Sequence, residues 1–238
     1  MIKEIKKNKS NNLIYIIDNY SVNFKTDRLR NLVEIFRQKI TKFSVKVIHY
    51  SQVDMEILKS ISGIILTGSE INVSDFYGNK VLRKKFKSVL KLIEKAKNIP
   101  ILAICYGLHL TGFAFNGKVY RMNIPHDGGR IIPLLLIKTD NLILHKKIFV
   151  DIQHRDYLIP NDLKIQKKFE IIATKVLNGF TTIQYMRHIN RPIYSVQFHP
   201  ETHLANYGYR NQDDEEIIKE AKQYGEEIII NFANICNQ

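Results

Sequence analysis

The sequence predicts an α/β fold with a mainly parallel central sheet, helices on both faces and an additional antiparallel strand region. Three observations carry that prediction. Short apolar runs alternate with amphipathic stretches of helical spacing through the first half of the chain, the pattern of a parallel sheet covered on both sides. Residues 118–198 change character and hold strand-like pieces in close succession. Three of the apolar runs close on loops carrying Cys, Gly or a His-Pro-Glu triplet, and open α/β sheets place their ligands beyond the carboxyl ends of the strands.

The elements follow in order. A polar, lysine-rich tail over 1–11 is expected to be flexible. "NLIYIIDNY" (12–20) is apolar until its Asp and Asn, a buried strand running into a loop. "DRLRNLVEIFRQK" (27–39) sets Leu29, Leu32, Val33 and Phe36 on one helical face, with Asp27 suited to its start. "FSVKVIHY" (43–50) alternates and is rich in β-branched residues, another strand. "SGIILTGSE" (62–70) is a short apolar strand closed at Gly68. "NKVLRKKFKSVLKLIEKAKN" (79–98) brings Val81, Phe86, Val89, Leu90, Ile93 and Ala96 near helical spacing, which predicts one helix with a solvated lysine face. "IPILAI" (99–104) is a strand and 106–115 an apolar helix. The pieces "RIIPLLLIK", "KIFVDIQH", "FEIIATKV", "TTIQYMRH" and "PIYSVQF" suggest an antiparallel extension or a side sheet. The acidic opening of "DDEEIIKEAKQYGEEIIINFANIC" suits the positive end of a closing helix, in which Cys236 is expected to pack against the sheet. No repeat or composition break divides the chain, so 12–238 reads as one domain.

Composition narrows the class. A chain of 238 residues with 45% apolar and 25% charged residues suits one globular α/β unit. No apolar run reaches the roughly 18 residues of a membrane span. The N-terminus has lysines but no apolar core or small-residue cleavage site of a signal peptide, so a cytoplasmic setting is expected. Cys105 and Cys236 are too few and too far apart for a disulfide framework or a zinc site, and neither metal nor cofactor is expected. The formal net charge of +13 raises a nucleic-acid reading, but the lysines are widely spread and no recognised nucleic-acid module appears. An acidic partner protein is compatible with that charge.

Three loops carry chemistry. "AICYG" has small residues around Cys105, the form of a nucleophile elbow, in which a sharp strand-to-helix turn lifts the nucleophile above the sheet. A helix starting at Tyr106 would aim its positive end at Cys105 and favour the thiolate, and the Tyr106 N–H could hold an oxyanion. In "YSVQFHPET" (194–202) the strand breaks at Pro200, which biases His199 to an extended backbone. Residues i and i+2 then share a side, so Glu201 can orient the His199 imidazole as the third member of a triad does. In "ILTGSEINV", Gly68 permits a turn that presents backbone amides. Singly, each has an ordinary explanation: a packed cysteine, a surface His–Glu pair, a loop glycine.

Together these residues resemble the class I, or triad, glutamine amidotransferases. "IYIIDNY" is similar to that family's first strand, "GIILTGS" to its oxyanion strand, "PILAICYGLHL" to its elbow and "YSVQFHPE" to its His and Glu motif. "QHRDYL" (153–158) and the closing "NFANIC" look most like the glutaminase part of GMP synthase. The resemblance implies the family's flavodoxin-like fold and hydrolysis of the glutamine side-chain amide through a cysteinyl thioester. It assigns Cys105 as nucleophile, His199 as base and acid, and Glu201 as its orienter. It places the oxyanion at Gly68, Ser69 and Tyr106, and the substrate, L-glutamine or a γ-glutamyl compound, at Gly68, Tyr106, His109, Gln153 and His154. It also implies, as partner, a separate synthetase that accepts the ammonia.

Five positions depart from the family pattern: Ala103 and Ser69 where Gly is usual, Glu70 where Pro is usual, His109 where the substrate-holding Gln is usual, and Arg155 in place of Gly. If position 69 needs a positive φ, Ser69 is expected to strain the oxyanion loop. His109, four residues after Cys105, is expected to face the pocket with one donor and one acceptor, fewer than Gln offers. These departures keep two alternatives open: a γ-glutamyl peptide hydrolase on the same fold, or a non-catalytic binding or regulatory relative.

Overall fold

Residues 14–17, 64–66 and 101–104 are wholly apolar, and each run becomes a strand buried on both faces, as β-branched segments do between two helical layers. The computed structural model describes residues 12–21, 26–123, 129–202 and 215–238; the expected basic tail, 1–11, lies outside them. The first half of the chain forms β1 (Leu13–Asp18), α1 (Asp27–Lys39), β2 (Ser44–His49), β3 (Gly63–Leu66), α2 (Lys80–Lys85), α3 (Lys87–Lys95), β4 (Ile101–Ile104) and α4 (Tyr106–Ala114). Short 3₁₀ turns at Tyr50–Gln52, Met55–Lys59 and Val73–Tyr77 join them. The second half adds β5 (Val119–Arg121), β6 (Arg130–Leu135), β7 (Lys147–Ile152), β8 (Asp156–Leu158), α5 (Leu163–Gln166), β9 (Phe169–Leu177), β10 (Phe180–His188), β11 (Ile193–Val196) and α6 (Glu215–Ile235).

The main sheet runs β2-β1-β3-β4-β11-β10-β9. Its first five strands are mutually parallel, and the β9–β10 hairpin closes one edge antiparallel. Two antiparallel ribbons, β5–β8 and β6–β7, stand apart from it. Alternation along the strands divides the core. Ile14, Ile16, Leu102 and Ile104 pack on one face with Leu32, Phe36 and Phe232. Tyr15, Ile17, Ile64 and Ala103 face the other way, onto Phe86, Leu92 and Tyr106.

Two expectations are corrected. The segment 79–98 forms two helices, because Phe86 leaves helical geometry (φ −94°, ψ 5°) where its ring is held against Tyr50, Phe76 and Tyr106. Val81 is not on the buried face: it is 71% exposed, since five residues at 3.6 per turn set it roughly 140° around from Phe86. The lysines between are solvent-exposed, as expected. Second, "PIYSVQF" does not belong to an antiparallel extension alone. As β11 it pairs antiparallel with β10 but parallel with β4, in register Ser195 to Ala103. That pairing puts the end of β11 beside the end of β4. Cys236 packs as expected, its sulfur so close to Gly63 that a Cβ there would meet it at 2.3 Å.

Candidate functional site

Because β1, β3, β4 and β11 run parallel, the residues that follow each of them gather at one edge of the sheet. At the end of β4, Cys105 takes φ 51° and ψ −99°, and α4 starts at the next residue. L-residues avoid that region, at a cost of about 1–3 kcal/mol. Surrounding structure holds it there: the Cys105 N–H donates to the Val196 carbonyl at 2.8 Å, and α4 is pressed onto β3. A Cβ on Gly107 would meet the Leu66 carbonyl at 2.8 Å, so a glycine is required for that approach. This strand, strained residue and helix form the elbow geometry expected of "AICYG".

The loop after β11 supplies the second group. The His199 N–H donates to the Asp151 carbonyl (2.9 Å), which fixes the backbone, and His199 Nδ1 donates to Glu201 Oε1 at 2.8 Å. Both side chains are buried. Burial and then the Arg28 charge push the His199 pKa down, yet Cys105 and Glu201 outweigh them and raise it to about 9. Burial pushes the Glu201 carboxyl up, but His199 first and Arg28 next hold it below its ordinary value. Cys105, His199 and Glu201 therefore form one buried cluster able to hold an imidazolium beside a sulfur.

Tyr106 buries its ring against Phe86, so its backbone N–H is the part available at the site. As the first helical residue it has no acceptor within α4. Neither the Gly68 nor the Ser69 amide donates a hydrogen bond among the described residues. The strain expected at Ser69 does not arise. The positive φ values among the described residues are at Cys105, Asn116, Asn178 and Gly179. Instead the Ser69 hydroxyl fastens the loop, donating to the Asn19 carbonyl (2.8 Å) and accepting from the Ile71 N–H (3.0 Å). Asn19 completes the clamp through Nδ2 to the Thr67 carbonyl at 2.9 Å.

A cavity of about 60 Å³ opens at Cys105, lined by Ser69 and Glu70 after β3, Tyr106 and His109 of α4, and Gln153, His154 and Arg155 after β7. Of the sequence-predicted substrate residues, Tyr106, His109, Gln153 and His154 line it. Gly68 lies behind, where a Cβ would stand 2.8 Å from His199 Cε1. His154 Nδ1 donates to the Asp156 carbonyl (2.9 Å), leaving an enclosed Nε2 with no partner among the described residues. Burial foremost, with the nearby positive charges of His199 and Arg130, depresses its pKa to about 3, so it is neutral and Nε2 is an acceptor. Burial foremost lowers the His109 pKa as well, and its Nε2 lies 2.8 Å from Gln197 Oε1, so with the amide in this orientation Nε2 carries the proton and donates. Among the described residues, no group of three or more His, Cys, Asp or Glu is placed to hold a metal ion.

Sequence reasoning passed over Gln197, Arg28, Asp151 and Asp156. Arg28 Nη2 donates to Asp151 Oδ2 and Gln153 Oε1, both at 3.0 Å, and Nη1 to Thr202 Oγ1 at 3.3 Å. Asp156 accepts from the Ser74 N–H (2.8 Å) and hydroxyl (2.7 Å) and from Arg121 Nε (3.2 Å), pinning the far wall. Arg28 had a readable signal: it stands four and eight residues before Leu32 and Phe36, on the apolar stripe of α1.

The class-I glutamine amidotransferase family model matches residues 15–217. The GMP synthase [glutamine-hydrolyzing] of Staphylococcus saprophyticus is 33% identical over 165 residues, 68% of this chain and 28% of that protein. The Staphylococcus aureus counterpart is 32% identical over the same shares. The chain thus spans about 28% of the length of these curated relatives. Among solved structures, a Thermoplasma acidophilum protein described as a candidate GMP synthase subunit superposes with TM-score 0.68 at 25% identity, over 94% of each chain. A glutamine amidotransferase of Thermotoga maritima superposes at TM-score 0.66 and 14% identity, over 95% of this chain and 98% of its own, a likeness of fold.

Proposed function

The chain belongs to the class I glutamine amidotransferase family and is like the glutaminase part of GMP synthase, and we propose that it hydrolyses the side-chain amide of L-glutamine to glutamate and ammonia. Cys105 Sγ attacks the amide carbon, and the resulting oxyanion is held by the N–H groups of Tyr106 and of Gly68 or Ser69. Each such donor is worth roughly 3–4 kcal/mol in comparable sites. His199, protonated while Cys105 is a thiolate, gives its proton to the departing nitrogen. The same imidazole then takes a proton from water, which attacks the γ-glutamyl thioester and releases glutamate. Glu201 keeps the His199 proton on Nδ1 when the ring is neutral and supports the imidazolium when it is not.

The observation that carries this reading is the strained Cys105 at the head of α4, beside a buried His199–Glu201 pair that raises the imidazole pKa to about 9. The likeness over 94% of each chain to a protein described as a candidate GMP synthase subunit supports delivery of the ammonia to a separate synthetase. The test is glutamate release from glutamine and from γ-glutamyl peptides, by the wild type and Cys105→Ala. Release from glutamine that disappears in the variant is expected. Turnover of γ-glutamyl peptides but not of glutamine would instead assign the site to the peptide hydrolase alternative.

A further inference from the structure

Gln197 lies between Val196 and Phe198 and is fully buried, while both neighbours belong to the core on the opposite face of the sheet. A buried amide needs partners at both of its ends. The oxygen end accepts from His109 Nε2 at 2.8 Å. The nitrogen end approaches Cys105 Sγ at 3.7 Å. An amide can be turned end for end with little change of shape, but the two orientations differ beside a sulfur nucleophile. With N–H towards the sulfur it stabilises a thiolate. Reversed, it would present the negative end of its carbonyl dipole and repel one.

We propose that Gln197 donates a hydrogen bond to the Cys105 thiolate, and that His109 is a positioning residue whose Nε2–H holds the Gln197 amide in that orientation. The proposal rests on Cys105 being the nucleophile, as inferred above. It gives position 109 a role on the enzyme's own sulfur rather than on the substrate alone. A glutamine at 109 also has an N–H to offer the Gln197 oxygen, whereas a leucine has none. The other charged and titratable groups around Cys105 are His199 and Glu201 after β11, Arg28 on α1, Glu70 after β3, His154 and Arg155 between β7 and β8, and Asp156 at the start of β8. None of them is altered by the substitutions below.

The experiment is the pH dependence of Cys105 alkylation by iodoacetamide, read on the Cys105 peptide by mass spectrometry. It is run on the wild type, Gln197→Leu, Gln197→Glu, His109→Leu and His109→Gln, with thermal unfolding and glutamine kinetics on the same samples. The alkylation midpoint should rise by about one pH unit in Gln197→Leu and His109→Leu, the scale of one lost hydrogen bond to a charged group. Gln197→Glu, nearly isosteric, should raise it further by setting a carboxylate against the sulfur. His109→Gln should keep the wild-type midpoint, and in the Leu variants kcat should fall more than KM rises. Unchanged midpoints in folded Gln197→Leu and Gln197→Glu would overturn the donor role. A rise in KM alone in His109→Leu would place His109 on the substrate and overturn its positioning role. Failure of the nucleophile reading looks different, with Cys105→Ala still turning glutamine over, and it would overturn both.

Discussion

At the scale of single residues the proposed chemistry depends on His199 remaining protonated until ammonia leaves. Its pKa of about 9 predicts that kcat/KM falls above roughly pH 9, as the imidazolium is lost. Removing the carboxylate in Glu201→Gln should move that alkaline limb to lower pH and cut kcat roughly 10²- to 10⁴-fold, as loss of a triad orienter does elsewhere. A pH–rate profile of both enzymes checks it, and an unmoved limb would contradict the role given to Glu201. The same shift enters stability with a defined sign. An imidazole raised from 6.5 to about 9 in the fold stabilises it fully below about pH 6.5, and that contribution is lost as pH rises through 9. His199 and Glu201 were legible in the sequence because their pairing is local, two residues apart in an extended segment. Gln197 was not, because its partners, Cys105 and His109, are 92 and 88 residues away in the chain. The strain suspected at Ser69 was a guess about φ, which residue type alone does not determine.

At the scale of elements, the site is framed by how helices press on loops. α6 crosses the His-Pro-Glu loop so closely that a Cβ on Gly225 would stand 2.2 Å from the Pro200 carbonyl oxygen. Gly225→Ala is therefore expected to displace Pro200, with kcat lowered at least tenfold while the helix itself, favoured by alanine, persists. Kinetics together with circular dichroism test this, and unaltered kcat would show that α6 can shift away without disturbing His199. Element type was legible where a short apolar run was bounded by loop residues, as in β1, β3 and β4, or where burial follows the helical period, as in α1. The break between α2 and α3 was not, because it comes from Phe86 seating its ring among Tyr50, Phe76 and Tyr106. Residues from three other places in the chain set that position.

At the scale of the whole molecule, the parallel frame came from alternation of strands and helices, but the place of β11 needed the tertiary pairing with β4. That pairing brings the Cys105 elbow beside the His199–Glu201 loop. A buried ion pair ties the frame together: Arg28 on α1 meets Asp151 at the end of β7 at 3.0 Å, with both side chains nearly inaccessible, and reaches Thr202 beyond Glu201. Arg28→Leu leaves Asp151 charged and unpaired, and should destabilise the fold by about 3–5 kcal/mol. Urea denaturation measures this, and a loss under about 1 kcal/mol would contradict it. The exposed lysines of α2 and α3 lie outside the site, and among the described residues no helix is long and apolar enough to cross a membrane. Everything proposed for the site converges on a γ-glutamyl thioester at Cys105. Rapid-quench mass spectrometry of the protein mixed with glutamine tests that intermediate directly. The account predicts a glutamyl increment on the Cys105 peptide that forms before glutamate accumulates and is absent in Cys105→Ala. Glutamate release at an undiminished rate from Cys105→Ala, or a glutamyl group on any other residue, would contradict it.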